Sequence, residues 1–534
     1  MKKIFTAIAL ISMMVLSSLF VQAQTVIPVI GDITSNTTWT ANNIYLLNGF
    51  VYVKNGAELT IQPGTVIKGD RNTKGTLIIT KGAKIIANGT ASQPIVFTSN
   101  EPIGQRTYGD WGGLILLGKA PINVAGGVGI IEGGVNNMNG DGEYGGNDPM
   151  DNSGSLQYIR IEFPGIAFQP NSEINGLTCG GVGAGTTMDY IMVSYSGDDS
   201  YEFFGGTVNA KHLIAYRGLD DDFDTDFGYS GMIQFAFSVR DPNAADVSGS
   251  NGFESDNDAT GSSNLPFTQP IFSNVTLVGP KETSASTFNA NYKRAAHIRR
   301  NSKCSIYNSV MMGFPVGLLI DGAGCEANAD ANELQIENVF LCGNDAQLAV
   351  ANGSTWDITN FFSAAQRNNM LYANTSDAML TNAFNLAGPN IAPMANSPLL
   401  TAGAFTNPRL TNAFFTPVSF AGAMDGITDW SAQWSNWDPN NTTASISTNN
   451  NSSSGFQIFP NPAKGDLSLN VKSGNNATIT VYDVAGVKVF ENNYNANELT
   501  NTIIISTSTW ANGSYTVKMN DGTNTFFNKV FVIK

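Results

Sequence analysis

Short apolar runs separated by turn residues dominate the start of the chain. Between residues 49 and 97 each run is three to five residues long, as at 51–53, 77–79 and 95–97. Pairs such as Asn55-Gly56 and Pro63-Gly64 separate the runs. Gly recurs often, and no window keeps the 3.6-residue period of a helix. The pattern therefore predicts short β-strands joined by tight turns.

These strands repeat with a period in the low twenties. The stretch at Ile191 returns at Leu213, 22 residues later, and in the next copy an offset of 23 aligns Asp199 with Asp222. A repeat of this length suits one rung of a β-helix, in which rungs bury their inward side chains by stacking. The consensus of leucine-rich repeats is missing, and a β-sandwich array would have longer repeats. We therefore predict an all-β chain with a right-handed parallel β-helix over residues 25–437.

The two ends of the chain differ from this body. Lys2 and Lys3, the apolar run 4–20 and the small residue Ala23 predict a secretory signal peptide over residues 1–23. A membrane anchor is the alternative, but the run is short, and no other segment could span a bilayer as a helix. Residues 438–455 are rich in Asn, Thr and Ser and predict a flexible linker. Residues 456–534 return to short alternating strands and predict a small β-sandwich.

Three motifs in this last block resemble the type A C-terminal sorting domain of type IX secretion. The resemblance implies that the type IX machinery carries the chain across the outer membrane and that a sortase-like protease then removes the block. The body would be fixed to lipopolysaccharide on the cell surface or released. An immunoglobulin-like binding module is the alternative. The motif residues are Pro460, Asn461 and Pro462, then Tyr482, Asp483 and Gly486, and finally Gly513, Tyr515 and Lys534.

The body also carries a resemblance. Trp111-Gly112-Gly113, residues 158–163 and residues 204–209 look like segments of secreted Bacteroidetes proteins of the pectin-lyase-like β-helix type. The similarity extends over roughly residues 30–430. It implies the fold and says little about chemistry, because one fold hosts many functions.

Charge narrows the function classes. The formal net charge is −15, with only 13% charged residues. A nucleic-acid partner is excluded, because it needs a basic footprint. The acidic balance instead favours cations, or neutral or cationic ligands.

A dense acidic run at residues 220–226 is the strongest candidate site. On a strand, its even-numbered aspartates would share one face, while Phe223 and Phe227 would share the other. Stacked rungs lie about 4.8 Å apart, where each like-charge pair costs about 1 kcal/mol in water and more near protein. Ca²⁺ is the candidate ion that offsets this repulsion. The candidate ligands are Asp198, Asp199, Glu202, Asp220, Asp222, Asp224 and Asp226.

Two alternatives remain open at this cluster. The carboxylates could form a solvated acidic edge that accepts turn N–H groups, in which case no ion is needed. An EF-hand is excluded, because Phe227 occupies the position that needs Gly. A second acidic patch at 254–258 and the Gly-rich stretch 141–151 are weaker versions of the same signal.

Two functions compete for the body. A surface protein with an adhesive, glycan-binding or structural role needs no catalytic constellation and is the preferred interpretation. A Ca²⁺-dependent polysaccharide lyase is the alternative, and it would need a Lys or Arg base beside the ion. Candidate bases are Lys211, Arg217 and Arg240, with another basic spot at His297, Arg299 and Arg300. Tyr195, Tyr201, Tyr216 and Tyr229 could stack on sugars or pack between rungs.

Two structural questions stay open in the sequence. Cys179, Cys304, Cys325 and Cys342 could form disulfides after export or stay as small buried side chains. Trp430, Trp434 and Trp437 stand at the end of the body. Since an exposed last rung has to be covered, we expect these three tryptophans to cap the solenoid.

Overall fold

The computed structural model describes eight stretches of the chain, residues 24–169, 172–442, 456–460, 463–471, 475–483, 487–500, 502–521 and 525–534. The predicted signal peptide and most of the predicted linker lie outside the described residues, as do Asn461, Pro462 and Gly486. The chain divides into two compact units, Met1–Ser445 and Ile446–Lys534.

Short strands make up most of the first unit. Its first part contains β1 (Thr25–Ile30), β2 (Thr37–Trp39), β3 (Asn43–Asn48), β4 (Phe50–Val53), β5 (Glu58–Ile61), β6 (Val66–Gly69), β7 (Thr76–Ile79), β8 (Lys84–Asn88), β9 (Ile95–Ser99), β10 (Leu114–Leu117), β11 (Gly129–Ile130), β12 (Glu143–Tyr144), β13 (Gly154–Glu162), β14 (Ala167–Gln169), β15 (Ser172–Glu173) and β16 (Leu177–Val182). Its second part contains β17 (Thr187–Ser194), β18 (Tyr201–Gly206), β19 (Asn209–Tyr216), β20 (Phe223–Asp226), β21 (Met232–Val239), β22 (Phe253–Ser255), β23 (Ile271–Val278), β24 (Arg294–Ile298), β25 (Ser305–Tyr307), β26 (Val310–Met312), β27 (Val316–Ile320), β28 (Ile336–Glu337), β29 (Phe340–Cys342), β30 (Ala346–Val350), β31 (Met370–Tyr372), β32 (Leu380–Asn382) and β33 (Asn390–Pro393).

Helices are few and short. The described residues of this unit hold α1 (Ala323–Asp330) and α2 (Ile358–Ser363). Four 3₁₀ turns cover Ala365–Arg367, Thr375–Ala378, Pro398–Thr401 and Pro408–Leu410. Among the residues that the structure describes, none of the helices has the length and apolar character that crossing a bilayer requires.

The parallel strands stack into three faces. Face 1 runs from β1, β3, β6 and β9 through the second halves of the long strands to β26, β29 and β31. Face 2 runs from β2, β5 and β8 through the first halves of the same long strands to β25 and β28. Face 3 is a separate ten-stranded sheet, in the order β4-β7-β10-β16-β18-β20-β22-β24-β27-β30. This arrangement confirms the predicted parallel β-helix.

The register confirms part of the predicted repeat and corrects the rest. Ile191 pairs with Leu213 at the predicted offset of 22. On face 3 the offset to the next rung is also 22, with Glu202 opposite Asp224. Asp199 therefore aligns with Asp221 and not with Asp222. The offset becomes 23 only after β20, where Lys211 pairs with Gln234.

Faces 1 and 2 meet at a bend inside the long strands. The residue at the bend has a left-handed backbone on every rung from β13 to β25, with φ between +49° and +62° at Tyr158, Tyr190, His212, Phe235, Asn274 and Asn308. Residues other than Gly and Asn rarely adopt this backbone conformation. The rings stack along the column, with centroids 4.4 Å apart for Tyr158 and Tyr190 and 4.2 Å apart for Tyr190 and His212. This stacking offsets part of the backbone strain.

The interior of the β-helix is one continuous apolar core. It extends from Trp39 to Phe362 and contains an inward residue from nearly every rung. At its C-terminal end α2 covers the last rungs with Ile358, Phe361 and Phe362. All four cysteines are buried, and their thiols are free, so they serve as small core side chains.

Residues 385–442, here called the strap, return along the bend between faces 1 and 2. The Asn308 side chain donates to the Ala404 carbonyl at 3.1 Å, and Asn274 donates to the Phe420 carbonyl at 2.8 Å. Further along, the backbone N–H of Gly104 donates to the carbonyl of Asn440 at 2.8 Å. The strap therefore runs against the direction of the rungs and covers the bend column.

The position of the strap corrects the prediction for the three tryptophans. Trp430 lies edge-on to His212 at 5.0 Å, Trp434 edge-on to Tyr190 at 6.0 Å, and Trp437 edge-on to Tyr216 at 5.1 Å. They cover the side of the β-helix and not its last rung. The expectation was wrong because α2 already closes that end, and closeness in sequence to the last rung does not imply closeness in space.

The second unit is a small antiparallel β-sandwich, as predicted. Its strands are β34 (Phe456–Phe459), β35 (Asp466–Val471), β36 (Ala477–Tyr482), β37 (Lys488–Tyr494), β38 (Ile503–Ser506), β39 (Gly513–Asn520) and β40 (Thr525–Val532), with a 3₁₀ turn at Glu498–Thr500. They form the sheets β34-β35-β38 and β37-β36-β39-β40, which enclose an apolar core.

The described motif residues of this unit lie at strand ends. Asp483 follows β36 and accepts the N–H of Val487 at 2.9 Å. Tyr515 is buried, and its hydroxyl donates to the Ala511 carbonyl at 2.9 Å. The others mark strand ends, with Pro460 after β34, Tyr482 ending β36, Gly513 opening β39 and Lys534 after β40.

Replacing Trp434 tests the strap. Trp434 is fully buried, and its indole N–H donates to the Trp430 carbonyl at 2.8 Å. We expect Trp434→Ala to lower the free energy of unfolding by about 3–5 kcal/mol, measured by guanidinium unfolding of the full chain. Ile427→Ala is the control, because Ile427 lies on the strap but is 91% exposed. Equal midpoints for the two variants would contradict the packing described.

Candidate functional site

The site begins with one outward column on face 3. Strand pairing places Glu202 of β18, Asp224 of β20, Glu254 of β22 and His297 of β24 side by side on four successive rungs. Their strand neighbours, such as Phe223, point into the core. Since adjacent strands lie about 4.8 Å apart, the three carboxylates are direct neighbours along the column.

The turns that precede these strands add a second acidic row. The Asp199 carboxylate accepts the backbone N–H of Asp221 at 2.8 Å, and the Asp221 carboxylate accepts that of Asn251. Asp220 accepts the hydroxyl of Ser248 at 2.6 Å. The two rows together form the acidic ladder, defined as Asp198, Asp199, Glu202, Asp220, Asp221, Asp224 and Glu254.

Within the ladder the carboxylate oxygens approach each other closely enough to share a cation. Three overlapping groups each have one oxygen per residue within 4.8 Å of the others. Asp199 belongs to two of these groups, and so does Asp224. The groups are Asp198–Asp199–Asp220, Asp199–Glu202–Asp224 and Asp221–Asp224–Glu254.

The carboxylates of the ladder are poorly hydrated. Asp199, Glu202 and Asp221 are 7%, 8% and 4% exposed. Burial, reinforced by the neighbouring carboxylates, holds the pKa of each of these three groups well above its usual value. The same causes also raise the pKa values of Asp198 and Asp224. Burial also raises the pKa of Asp220 to about 6. When these carboxylates are ionised, they repel one another.

Among the described residues, ion pairs reach only one end of the ladder, although the charge of the buried Arg240 also opposes the rise in the pKa of Asp220 and Asp221. Arg299 pairs with Glu254, and His297 Nδ1 lies 3.2 Å from a Glu254 oxygen. Burial would raise the pKa of Glu254, but the hydrogen bond from His297 and the charge of Arg299 outweigh burial and lower it. Across the described part of the chain, no Lys, Arg or His forms an ion pair with the other six ladder residues.

Two buried asparagines donate hydrogen bonds to the ladder, and the amide oxygen of each has no hydrogen-bond partner. Asn175, 1% exposed, donates its amide N–H groups to Glu202 and, at 2.9 Å, to Glu132. Asn251, also 1% exposed, donates to Asp221 at 3.3 Å and to Glu254 at 3.2 Å. In both residues Oδ1 is buried and accepts no hydrogen bond, and Oδ1 of Asp224 is likewise unpaired. A buried acceptor without a partner costs about 1–3 kcal/mol.

The structure brings five of the seven predicted ligands together and separates two. Asp222 is fully buried and pairs with the equally buried Arg240 at 3.0 Å. Asp226 lies on the same strand as Asp224 but outside the three groups. The predicted alternation was wrong for Asp222, because β20 begins only at Phe223. In the preceding turn, the period of two does not apply.

Sequence reasoning missed Asp221 and undervalued Glu254. Asp221 belonged to the acidic run but was placed on the wrong face by the assumed strand. Glu254 pairs with Asp224 across an offset of 30 residues, because the loop between these rungs is longer than in the short repeats. An alignment restricted to offsets of 22 or 23 could not match these two residues.

The residues proposed as lyase bases are engaged elsewhere. Lys211 donates to Thr416 of the strap at 2.8 Å, and Arg217 pairs with Asp241. Arg240 is buried against Asp222. Of the four tyrosines, Tyr201, Tyr216 and Tyr229 are fully buried, and the half-buried Tyr195 stacks on Phe163 at 5.1 Å. These tyrosines pack within the fold.

Stability in a chelator should fall as the pH rises. A carboxyl whose folded pKa lies above its unfolded value stabilises the fold below the unfolded pKa, near 4, and loses this contribution as the pH passes the folded pKa. For Asp220, with a folded pKa of about 6, the loss is on the order of 2 kcal/mol. We therefore expect the ion-free protein to melt higher at pH 5 than at pH 7.5.

Single amide variants check the source of this dependence. Asp224→Asn should raise the melting temperature at pH 7.5 in chelator and reduce the difference between the two pH values, since it removes one buried charge. Glu333→Gln is the control, because its carboxylate pairs with Lys303 away from the ladder and is about half exposed. A melting temperature that rises with pH would rule out the repulsion described.

Comparisons with known proteins agree with this architecture. Residues 31–384 match the family model described as a pectate-lyase like beta helix domain, and residues 457–534 match that of a secretion system C-terminal sorting domain. An endo-acting ulvan lyase of Formosa agariphila is 27% identical over 81 residues. Those residues are 15% of this chain and 15% of that enzyme, so the chain spans only a small part of its length.

Two solved structures share limited similarity with the chain. A duf3244 family protein from Bacteroides vulgatus, with an immunoglobulin-like β-sandwich fold, is 21% identical. The match covers 14% of this chain and 83% of that one, with a TM-score of 0.13. The enzymatically active domain of tailspike protein 2 of bacteriophage CBA120 is 9% identical and covers 91% and 72% of the two chains, with a TM-score of 0.18. Both scores are too low to bear on the fold.

The sorting domain determines where the protein goes. It interacts with the secretion machinery and directs the chain across the outer membrane to the cell surface or the extracellular space. The family model of the β-helix domain matches about two thirds of the sequence. The chain therefore belongs to the pectate-lyase-like β-helix family, as a secreted member with a C-terminal sorting domain.

Proposed function

We propose that the exported β-helix is a Ca²⁺-binding surface protein with a structural or adhesive role. One observation carries this proposal. Six closely stacked carboxylates of the ladder form no ion pair with a described Lys, Arg or His, although three of them are less than 9% exposed. An ion bound between the rungs would remove the repulsion and fill the unsatisfied acceptors.

The donor set suits a hard cation. Ca²⁺ takes six to eight oxygen ligands in flexible geometry, whereas Mg²⁺ requires a nearly ideal octahedron. The three groups of the ladder offer only carboxylate oxygens and contain neither thiols nor imidazoles, and the buried amides of Asn175 and Asn251 lie beside them. Softer metals prefer those other donors. The uneven spacing set by strands and turns favours the more tolerant Ca²⁺.

The surroundings of the ladder support a binding or structural role over lysis. A lyase needs a free Lys or Arg next to the ion. Lys211, Arg217 and Arg240 are engaged elsewhere, and Arg299 is fixed between Glu254 and Asp256. The short match to an ulvan lyase covers too little of either chain to favour the enzyme.

We also infer how the protein reaches its final location. A sortase-like protease would remove the second unit after export, and the β-helix would then be attached to lipopolysaccharide or released. The separation into two compact units, each with its own core, supports this, because the first unit keeps its packing when the second is cut away.

Calcium should stabilise the β-helix unit. A ligand that binds only the folded state adds about 2.7 kcal/mol when its concentration is 100 times its dissociation constant. We expect Ca²⁺ to raise the melting temperature at pH 7.5 and chelator to reverse this, with a smaller effect of Mg²⁺. Asp199→Asn and Glu202→Gln should weaken the response.

A lyase screen belongs in the same experiment. Absorbance at about 235 nm, where the unsaturated lyase product absorbs, is recorded on pectate, alginate and glycosaminoglycans with Ca²⁺ present. A thermal shift without absorbance supports the proposed role. A rise in absorbance that is lost in Asp224→Asn would replace it with the lyase. Unchanged melting with Ca²⁺ would leave a solvated acidic edge.

Removing the second unit should block delivery. We expect a chain without residues 456–534 to stay inside the outer membrane, measured by cell fractionation and by protection from added protease. Asp224→Asn in the intact chain is the control and should reach the surface. The intact mass of the surface form should lack the second unit. Surface delivery of the truncated chain would contradict the assigned sorting role.

A further inference from the structure

We infer that the acidic ladder binds two cations that share the carboxylate of Asp224. This inference rests on the proposed cation binding and specifies its stoichiometry and its bridging ligand. The first ion lies at Asp199, Glu202 and Asp224, and the second at Asp221, Asp224 and Glu254. Both groups have their oxygens within 4.8 Å, and Asp224 is the residue common to both.

Each of the two positions has its own unsatisfied amide oxygen. Asn175 contacts Glu202, which belongs only to the first position. Asn251 contacts Asp221 and Glu254, which belong only to the second. Both asparagines are 1% exposed, and in each the buried Oδ1 accepts no hydrogen bond. Each position therefore has its own buried amide, whose N–H groups face the carboxylates and whose oxygen is left without a partner.

Asp224 has the geometry of a bridge. It stands between Glu202 and Glu254 in the outward column, paired with one rung on each side. Its Oδ1 is buried and unpaired. A carboxylate between two ions can give one oxygen to each, whereas a single ion would leave one of the two groups uncompensated.

Charge also favours two ions over one. Each position contains three carboxylates, and the shared Asp224 brings the total to five different ones. Among the described residues, the ion pairs to these five carboxylates come only from Arg299 and His297, and both are made to Glu254. One divalent ion would leave the carboxylates at the other end of the ladder uncompensated, and like charges a few ångströms apart repel each other.

The third group lacks the features of the other two. The Asp198–Asp199–Asp220 group has no buried amide oxygen without a partner, and Asp220 already accepts the hydroxyl of Ser248. Asp198 and Asp220 are also more exposed than Asp199 and Asp221. The inferred stoichiometry is therefore two.

Ion counting on the intact chain tests the inference. The full chain is stripped with chelator, and Ca²⁺ binding is followed by titration calorimetry and native mass spectrometry. We expect two ions per chain. Glu202→Gln and Glu254→Gln should each retain one ion, while Asp224→Asn should weaken both by at least the tenfold that even an outer-shell partner contributes.

Asp226→Asn is the matched control. Asp226 lies on the same strand and the same face two residues from Asp224, but outside both positions. It should still bind two ions. Asp224→Asn should melt no lower than the parent chain in chelator, which shows that any loss of ions is not caused by unfolding.

The outcomes separate the two proposals. A single bound ion in the parent chain overturns the shared pair and leaves Ca²⁺ binding intact. Two ions of which Asp224→Asn loses only one, or none, overturn Asp224 as the bridge. No bound ion in the parent chain overturns both the cation site and the pair.

Discussion

Parallel stacking of the rungs is the constraint on which the rest of this structure depends. Each strand pairs in register with the next, so every side chain faces its counterpart about 4.8 Å away. The backbone is satisfied by this pairing whatever the side chains are. Whether a column stabilises the fold therefore depends on whether like side chains interact favourably at that distance.

The columns of this protein meet the constraint in different ways. Inward columns are apolar and merge into one core, where close contact between like residues is favourable. The bend column is aromatic in its first half and Asn in its second. Rings stack and amides bond to the strap, so both halves gain from repetition. In the outward column of face 3, which includes Glu202, Asp224 and Glu254, repetition is unfavourable unless something is added.

The sequence revealed what repeats at short range. The offset of 22 between Ile191 and Leu213 was enough to predict the β-helix, because the two rungs are joined by short turns. The pairing of Asp224 with Glu254 was not recognisable, since a longer loop intervenes. The course of the strap could not be predicted from the sequence either. The rings it covers, such as Tyr190, precede Trp434 by more than 200 residues, and no local pattern encodes such a contact.

The same distinction explains why the candidate site was only partly predictable. The density of Asp at 220–226 pointed to the region where the structure clusters carboxylates, because a dense run of one charge is unusual in a chain with 13% charged residues. Which of these aspartates meet depended on where β20 begins. Its start at Phe223 turns Asp222 inward to Arg240 and leaves Asp221 in the ladder.

The strap and the ladder lie on different parts of the β-helix, the bend between faces 1 and 2 and face 3. On the bend, the chain covers its own aromatic column with residues 385–442, so that part of the fold is complete by itself. On face 3, within the described residues, the ion pairs to the ladder come only from Arg299 and His297. Under the proposed function, the stability of face 3 follows the logarithm of the cation concentration, while that of the bend does not. Under that proposal, the exported chain reaches its full stability only where the cation is present.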